Sequence, residues 1–356
     1  MKTALLFFFL PCLALAGEEA VSIKLHDGYA VDGKLALPAG EVTRAIVLVH
    51  GSGAHPADAD LTDVSKGKQQ NLVFRDVSDA LVAKGFAVLR VNKRNWQIQQ
   101  EVKRDRKVKD SAGVAAFVKD PFGYFVKDVE SALDFLAARY PKAKYCLLGL
   151  SEGTYIALQV ARERPRLAGV ALIGYAGAPL ACLVHEQVVY RPLKFFEELD
   201  RDHDGVLSEA ELAAPGPIAA ALLKQMPVLD LNGNKRLERD EFMAGNYSNL
   251  LIKPLFDPNC TVYESTHPTS AAILSMTSMP VCFFQGLWDN QCPAYQAKSV
   301  ELVNRAAWKK PNLSFQYFDK MGHCLDPRDS YDDLEFRPMS KDALDAIGKT
   351  LDEKFK

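Results

Sequence analysis

The chain has 356 residues, of which 48% are hydrophobic and 25% charged, with a formal net charge of −2. That length supports a full-sized hydrophobic core plus an additional module. The near-neutral charge argues against nucleic acid or an anionic membrane surface as a main partner.

At the N-terminus Lys2 precedes the apolar run Ala4 to Leu15, and Ala14-Leu15-Ala16 is a small-x-small cleavage signal before Gly17. Residues 1–16 therefore read as a secretory signal peptide, too short to span a bilayer comfortably. The expectation is an exported protein, periplasmic or extracellular, without integral membrane association. Cys12 leaves with the signal. Six cysteines remain where disulfides are permitted: Cys146, Cys182, Cys260, Cys282, Cys292 and Cys324. Cys146 and Cys282 lie in apolar strand-like runs and read as small buried hydrophobes.

From Val21 to Leu37 the apolar alternation, broken at Asp27-Gly28, predicts an opening hairpin. Arg44 to Val49 is a continuous apolar run, the mark of a strand covered on both faces. The spacing predicts a helix over Phe74 to Lys84 and a strand over Phe86 to Val91. A long polar stretch with a mixed-charge run, residues 97 to 123, reads as a solvated loop. Then follow an amphipathic helix from Tyr124 to Tyr140, a strand from Lys144 to Leu150, a helix after Ser151 and a strand from Gly169 to Tyr175. Strands alternating with helices of this length imply right-handed crossovers and a mostly parallel, doubly wound α/β sheet. Residues 179–275 lack buried-strand runs and read as an insertion. The strand pattern resumes at Pro280 to Gln285 and Leu313 to Phe318, with a helix over Tyr295 to Ala307 between them and a closing amphipathic helix over Ser340 to Phe355. The expected division is signal peptide 1–16, core 17–178, cap insertion 179–275 and core 276–356.

Gly149-Leu150-Ser151-Glu152-Gly153 joins the Lys144 to Leu150 strand to the helix beginning at Thr154. It fits a nucleophile elbow, in which strand and helix approach so closely that glycine is needed at either end. Reactive groups of a doubly wound sheet gather at the carboxyl ends of its strands. Three more polar clusters fall at such ends: His50-Gly51-Ser52-Gly53, Trp288-Asp289 and Gly322-His323. A serine hydroxyl needs an imidazole to take its proton, and the imidazole needs a carboxylate to fix its tautomer. Ser151, His323 and Asp289 supply these. The backbone N–H groups of Ser52 and Glu152 are the candidate oxyanion donors. Trp96 and Trp288 are candidates to line the cleft. If the triad forms, the loops bearing Cys292 and Cys324 are neighbours, which predicts a disulfide beside the site. Cys182 and Cys260 flank the acidic part of the insertion and are candidates for a second.

On the HGSG loop, the G-x-S-E-G elbow and the order Ser, Asp, His, the chain resembles α/β-hydrolases, and within them bacterial esterases and peptidase-like hydrolases. The resemblance covers about residues 20 to 178 and 276 to 356. It implies a serine hydrolase that forms an acyl-enzyme on Ser151 and needs no cofactor for catalysis. The expected substrate is a small carboxylic ester. The same triad would serve a peptidase or amidase on a short peptide, and a calcium-dependent binding protein on a retired core is the reading from another class.

Within the insertion, Asp200-Arg201-Asp202-His203-Asp204-Gly205-Val206-Leu207-Ser208-Glu209-Ala210-Glu211 matches a twelve-residue EF-hand loop at each diagnostic position. Oxygens of Asp200, Asp202, Asp204, the Val206 carbonyl, Ser208 and Glu211 would ring one Ca²⁺. Asp230, Asn232, Asn234, the Arg236 carbonyl, Glu238 and Glu241 repeat the spacing with fewer charges. Lys235 stands where the turn glycine belongs and must accept a positive φ. Leu207 and Leu237 hold equivalent positions and are expected to pair the two loops. The ion's expected role is structural, holding the insertion as a cap over Ser151.

Overall fold

The computed structural model describes residues 17–252 and 263–356. Strands β1 (Gly17–Lys24) and β2 (Ala30–Leu37) form the opening antiparallel hairpin, followed by β3 (Arg44–Val49), helix α1 (Val73–Val82) and β4 (Phe86–Val91). Next come α2 (Arg94–Arg104), α3 (Ala112–Lys119), α4 (Pro121–Arg139), β5 (Lys144–Leu150), α5 (Glu152–Glu163) and β6 (Gly169–Ile173). The stretch after β6 holds α6 (Leu180–His185), α7 (Leu193–Leu199), β7 (Val206–Leu207), α8 (Glu209–Leu212), α9 (Pro217–Leu229), β8 (Leu237–Glu238) and α10 (Arg239–Ile252). The chain then closes with α11 (Ser270–Met276), β9 (Val281–Gly286), α12 (Tyr295–Val303), β10 (Leu313–Phe318) and α13 (Lys341–Lys354).

Among the described residues eight strands make one sheet in the order β1-β2-β4-β3-β5-β6-β9-β10. Only β2 runs against its neighbours; from β4 to β10 every pairing is parallel. Alternate residues of each strand leave on opposite faces. Val47, Leu147, Leu172 and Phe283 therefore join a core closed by α4, α5 and α12 through Leu136, Ile156 and Ala297. Ile46, Leu148, Ile173 and Phe284 join a second core closed by α1 and α13 through Phe74, Val77, Ile347 and Leu351. Cys146 and Cys282 belong to that second core, as the apolar runs implied. The parallel strands lift their carboxyl ends to one edge, where residues 50–53, 151, 289 and 323 lie.

Residues 97 to 123 are not a loop. They carry the rest of α2, a 3₁₀ turn (Arg106–Asp110), α3 and the start of α4. The Ser111 hydroxyl accepts from Val114 N and the Asp120 carboxylate from Gly123 N, so each new helix begins on a side-chain cap. Pro121 takes the first helical position, where its missing N–H costs nothing. The mixed charges lie on the exposed side of these short helices, which is why composition alone suggested a loop.

The segment after β6 has a small core of its own, in which Phe196, Leu207, Leu212, Leu222, Leu237 and Phe242 meet. β7 and β8 pair antiparallel with Leu207 opposite Leu237, the pairing expected of the two acidic loops. α8 is only four residues long and ends before Pro215, a residue that cannot continue a helix.

Candidate active site

Ser151 sits between β5 and α5 with φ 57° and ψ −126°, a strained conformation for a residue with a side chain. Its N–H is tied to Ile173 O at 2.9 Å. The neighbouring glycines are steric necessities: a Cβ on Gly149 would lie 2.3 Å from Gly153 O, and one on Gly153 would lie 2.1 Å from Val49 O. The crossing of strand and helix is therefore close enough to hold the serine in its unfavourable turn and push its side chain above the sheet edge.

Asp289, on the loop after β9, is completely buried. His323, on the loop after β10, meets it with Nδ1 at 3.0 and 2.9 Å from the two carboxylate oxygens. A carboxylate accepts, so Nδ1 carries the proton and Nε2 keeps its lone pair. The carboxylate is held from the other side by Gln291 N and Cys292 N on Oδ1 and by Gln285 Nε2 on Oδ2. Gln285 is itself oriented by Tyr175 N, which donates to its Oε1 at 3.0 Å. The imidazole is packed against Gly174, where a Cβ would come within 2.9 Å of the ring. Ser151, His323, Ser52 and Gly51 line one cavity of about 220 Å³, with His50, His55, Ala59, Leu61, Leu150 and Phe336 among the other walls. Trp96 and Trp288 are not among the residues lining it, contrary to expectation.

The 50–53 loop is held by side chains that sequence reading did not single out. His50 Nε2 donates to Val91 O at 2.7 Å, and its ring stacks on Phe74. Burial, reinforced by the nearby His55, holds the His50 imidazole well below its ordinary range, so the ring is neutral. Lys93, buried behind the loop, donates to Gly51 O and to Glu152 Oε1, each at 2.6 Å. His55 Nε2 lies 2.6 Å from Ser52 O, and Asn95 Nδ2 donates to Gly53 O at 3.1 Å. Neither Ser52 N nor Glu152 N has a hydrogen-bond acceptor among the described residues. No local motif marks Lys93: its partners are 42 and 59 positions away.

Residues 69–326 match the family model described as Serine aminopeptidase, S33. The chain belongs to this hydrolase family. Its mostly parallel sheet flanked by helices is the α/β-hydrolase fold. The S33 hydrolase is 24% identical over 294 residues to esterase EstD of Thermotoga maritima, an alignment covering 82% of this chain and 57% of EstD. The chain thus spans little more than half the length of that relative. Among solved structures it resembles the esterase domain of a Rhodothermus marinus protein (TM-score 0.50, 17% identity, 96% of this chain and 100% of that one). It also resembles an esterase of Pyrococcus furiosus (TM-score 0.52, 11% identity, 96% and 92%). These likenesses concern the fold.

One disulfide expectation fails in this S33 hydrolase. Cys292 and Cys324 are buried free thiols, although their loops are neighbours as the triad required. Proximity of two loops does not align two Cβ vectors. The Cys292 thiol instead lies beside the Ser151 hydroxyl, and Cys324 N is drawn to Asp326 Oδ1. Burial, with the Asp289 charge adding for Cys292 and the Asp326 charge for Cys324, pushes both thiols well above their ordinary range, so neither is a nucleophile. Cys182 is a free, exposed thiol, and its proposed partner Cys260 lies outside the described residues.

The segment after β6 reaches the Asp289 loop directly. Gln187 Nε2 donates to Gln291 O at 2.8 Å, and Arg191 donates to Asn290 O at 3.2 Å. α7 then runs from this contact to Asp200, the first residue of the acidic loop. Carboxylate oxygens of Asp200, Asp202 and Asp204 lie within 4.8 Å of one another. Asp200 also accepts from Asp204 N and Gly205 N, and Glu211 from Arg201 N and Ser208 N. Burial works against the Glu211 charge, yet the hydrogen bonds from Ser208, Arg201 and Asp202 win and hold its carboxyl below the usual range. An all-oxygen set of converging carboxylates fits a hard cation such as Ca²⁺.

In the second loop Asp230 accepts from Gly233 N, Asn234 N and Lys235 N, and Glu241 from Leu231 N and Glu238 N. Lys235 takes φ 61°, as its position demanded, against 80° for Gly205 in the first loop. The amides of Asn232 and Asn234 both donate to Glu238 Oε1 at 3.1 Å. Arg236 bridges the loops, its guanidinium 2.7 Å from Asp204 Oδ2. That contact was not legible from loop spacing, which assigns only the Arg236 carbonyl.

Proposed function

We propose that the protein is an exported serine hydrolase that cleaves small carboxylic esters through an acyl-enzyme on Ser151. The observation that carries this is the strained Ser151 at the β5–α5 turn, sharing a cavity with a His323 ring whose Nδ1–H is fixed on buried Asp289. On rotation about χ1 the hydroxyl leaves Cys292 and meets His323 Nε2. Oγ then attacks the substrate carbonyl, its proton passes to Nε2, and the carbonyl electron pair moves onto oxygen. The Ser52 and Glu152 N–H groups receive that oxyanion. Its collapse expels the alcohol, which takes the proton from His323. Water, deprotonated by the same ring, then releases the acid.

The family description favours a second reading, an aminopeptidase on the same triad. Such an enzyme must balance the α-ammonium of its substrate. Among the described residues lining the cavity none carries a carboxylate, and Glu152 is engaged by Lys93. An unpaired ammonium there would bear the full cost of desolvation, whereas a neutral ester needs no counter-charge. Rates on short nitrophenyl esters and on aminoacyl anilides separate the readings: esters are expected to lead by at least about 100-fold in kcat/KM, and faster anilide cleavage would overturn the assignment.

Residues 179–275 serve, in this account, as a cap over the cleft, with Ca²⁺ held by Asp200, Asp202, Asp204, the Val206 carbonyl and Glu211. Ser208 supplies the sixth ligand oxygen, directly or through water. The ion supplies rigidity to the cap and takes no part in the reaction. Extracellular calcium would keep even a weak site filled.

A further inference from the structure

We infer that Lys93 is the positioning residue of the oxyanion hole, setting the Ser52 N–H and the Glu152 N–H to one point with a single ammonium. The inference rests on the acyl-transfer reading above. A trans peptide is planar, and its N–H points opposite to its C=O. The Gly51 carbonyl and the Ser52 N–H belong to one peptide unit. Lys93 Nζ grips that carbonyl at 2.6 Å from behind the loop, resting 4.3 Å above the centre of the Phe125 ring. Lys93 is not among the residues lining the Ser151 cavity. Pulling the carbonyl backward turns the Ser52 N–H forward, toward the cavity that Gly51 and Ser52 line.

The same ammonium holds Glu152 Oε1 at 2.6 Å, and Glu152 is the first residue of α5, whose N–H is the other donor. The two donors follow β3 and β5, which the sheet pairs as parallel neighbours up to Val49 and Gly149; beyond that last pair the two loops part, and a side chain is needed to link them. Lys93 touches both sides. Its own backbone closes the arrangement, since Lys93 N donates to His55 O at 3.0 Å while His55 Nε2 holds the next carbonyl, that of Ser52. A cation on the carbonyl oxygen also polarises the peptide and makes its N–H a stronger donor. The contact exists before substrate binds and its value rises as negative charge grows on the substrate oxygen. It therefore acts on the transition state more than on the ground state.

The alternative is a plain structural ion pair with Glu152, and the two roles predict different things. In Lys93→Met the kcat on a short nitrophenyl ester is expected to fall about 100-fold with KM within threefold, as for loss of one oxyanion donor. Affinity for an aryl trifluoromethyl ketone, whose adduct on Ser151 carries the oxyanion, is expected to fall in parallel when read by fluorine NMR. The double variant Lys93→Met/Glu152→Gln removes the orphaned carboxylate charge. If Lys93 acts on the Gly51 peptide the double variant stays slow; if the lysine only neutralises Glu152, the double variant recovers wild-type kcat, and that recovery overturns the inference. A Lys93→Met enzyme with unchanged kcat and ketone affinity overturns it equally. Should the wild-type protein form no ketone adduct and cleave no ester, the acyl-transfer reading itself fails, a result distinct from either.

Discussion

Asp289→Asn exchanges one carboxylate oxygen for an NH₂, and the surrounding donors decide which. Oδ1 accepts from Gln291 N and Cys292 N, Oδ2 from Gln285 Nε2 alone. Placing the NH₂ at Oδ2 sacrifices one of these bonds rather than two. Gln285 cannot flip to accept without losing Tyr175 N from its Oε1. The new NH₂ then faces His323 at 2.9 Å, the shorter of its two contacts, which favours a lone pair on Nδ1 and the proton on Nε2. That tautomer cannot take the Ser151 proton. A wrong tautomer in this arrangement lowers kcat by about 10⁴, and the frustrated buried donor costs about 1–3 kcal/mol of stability. Initial rates on nitrophenyl acetate, with urea unfolding on the same samples, measure both. A variant within tenfold of wild-type kcat would refute the tautomer argument, and one with the full rate loss but no Ser151 reactivity at any pH would support it.

Gly153→Ala places a Cβ against backbone oxygens of Val49 and His50, which cannot yield as a side chain would; about 3 kcal/mol of stability should be lost, the upper end of the range for overpacking, read by the urea midpoint, and a loss under about 1 kcal/mol would contradict the packing. Chelation should lower the melting temperature of the wild-type protein, while Asp202→Ala, at an exposed position, should erase the difference between calcium and chelator; identical melting curves would remove the ion from the account. pH dependence follows from His50. Its folded-state pKa is lowered by burial, so an unfolded chain takes up a proton near pH 6.5 that the native ring refuses. Stability should be full above that value and fall as pH drops below it, by up to about 1.4 kcal/mol per unit until the native ring protonates. In His50→Asn that slope should flatten; an unchanged slope would assign the effect to another group.

The central strand runs were legible because burial on both faces leaves little room for polar residues, as in Arg44–Val49; the half-buried edge strand Leu313–Phe318, which carries Ser314 and Gln316, also falls where the sequence placed it. The elbow was legible because only glycine fits its two ends. Helix α2 was not, since its composition is polar and no side-chain cap marks its start; α3 and the first turn of α4 were passed over although Ser111 and Asp120 are local, readable caps for them. Lys93, Gln285, Gln187 and Arg191 were invisible for another reason: each acts through a partner distant in sequence, so its role exists only once the sheet is assembled. The cysteine pairing erred in the same direction. Topology brought Cys292 and Cys324 together, but side-chain direction sent Cys292 to Ser151.

The measurement that bears most directly on the central claim is intact-mass spectrometry after brief treatment with a fluorophosphonate, followed by peptide mapping. One adduct per chain is expected, on Ser151, absent from Ser151→Ala and formed at least about 100-fold more slowly in His323→Ala. An adduct elsewhere, or none on a folded wild-type protein, would contradict it.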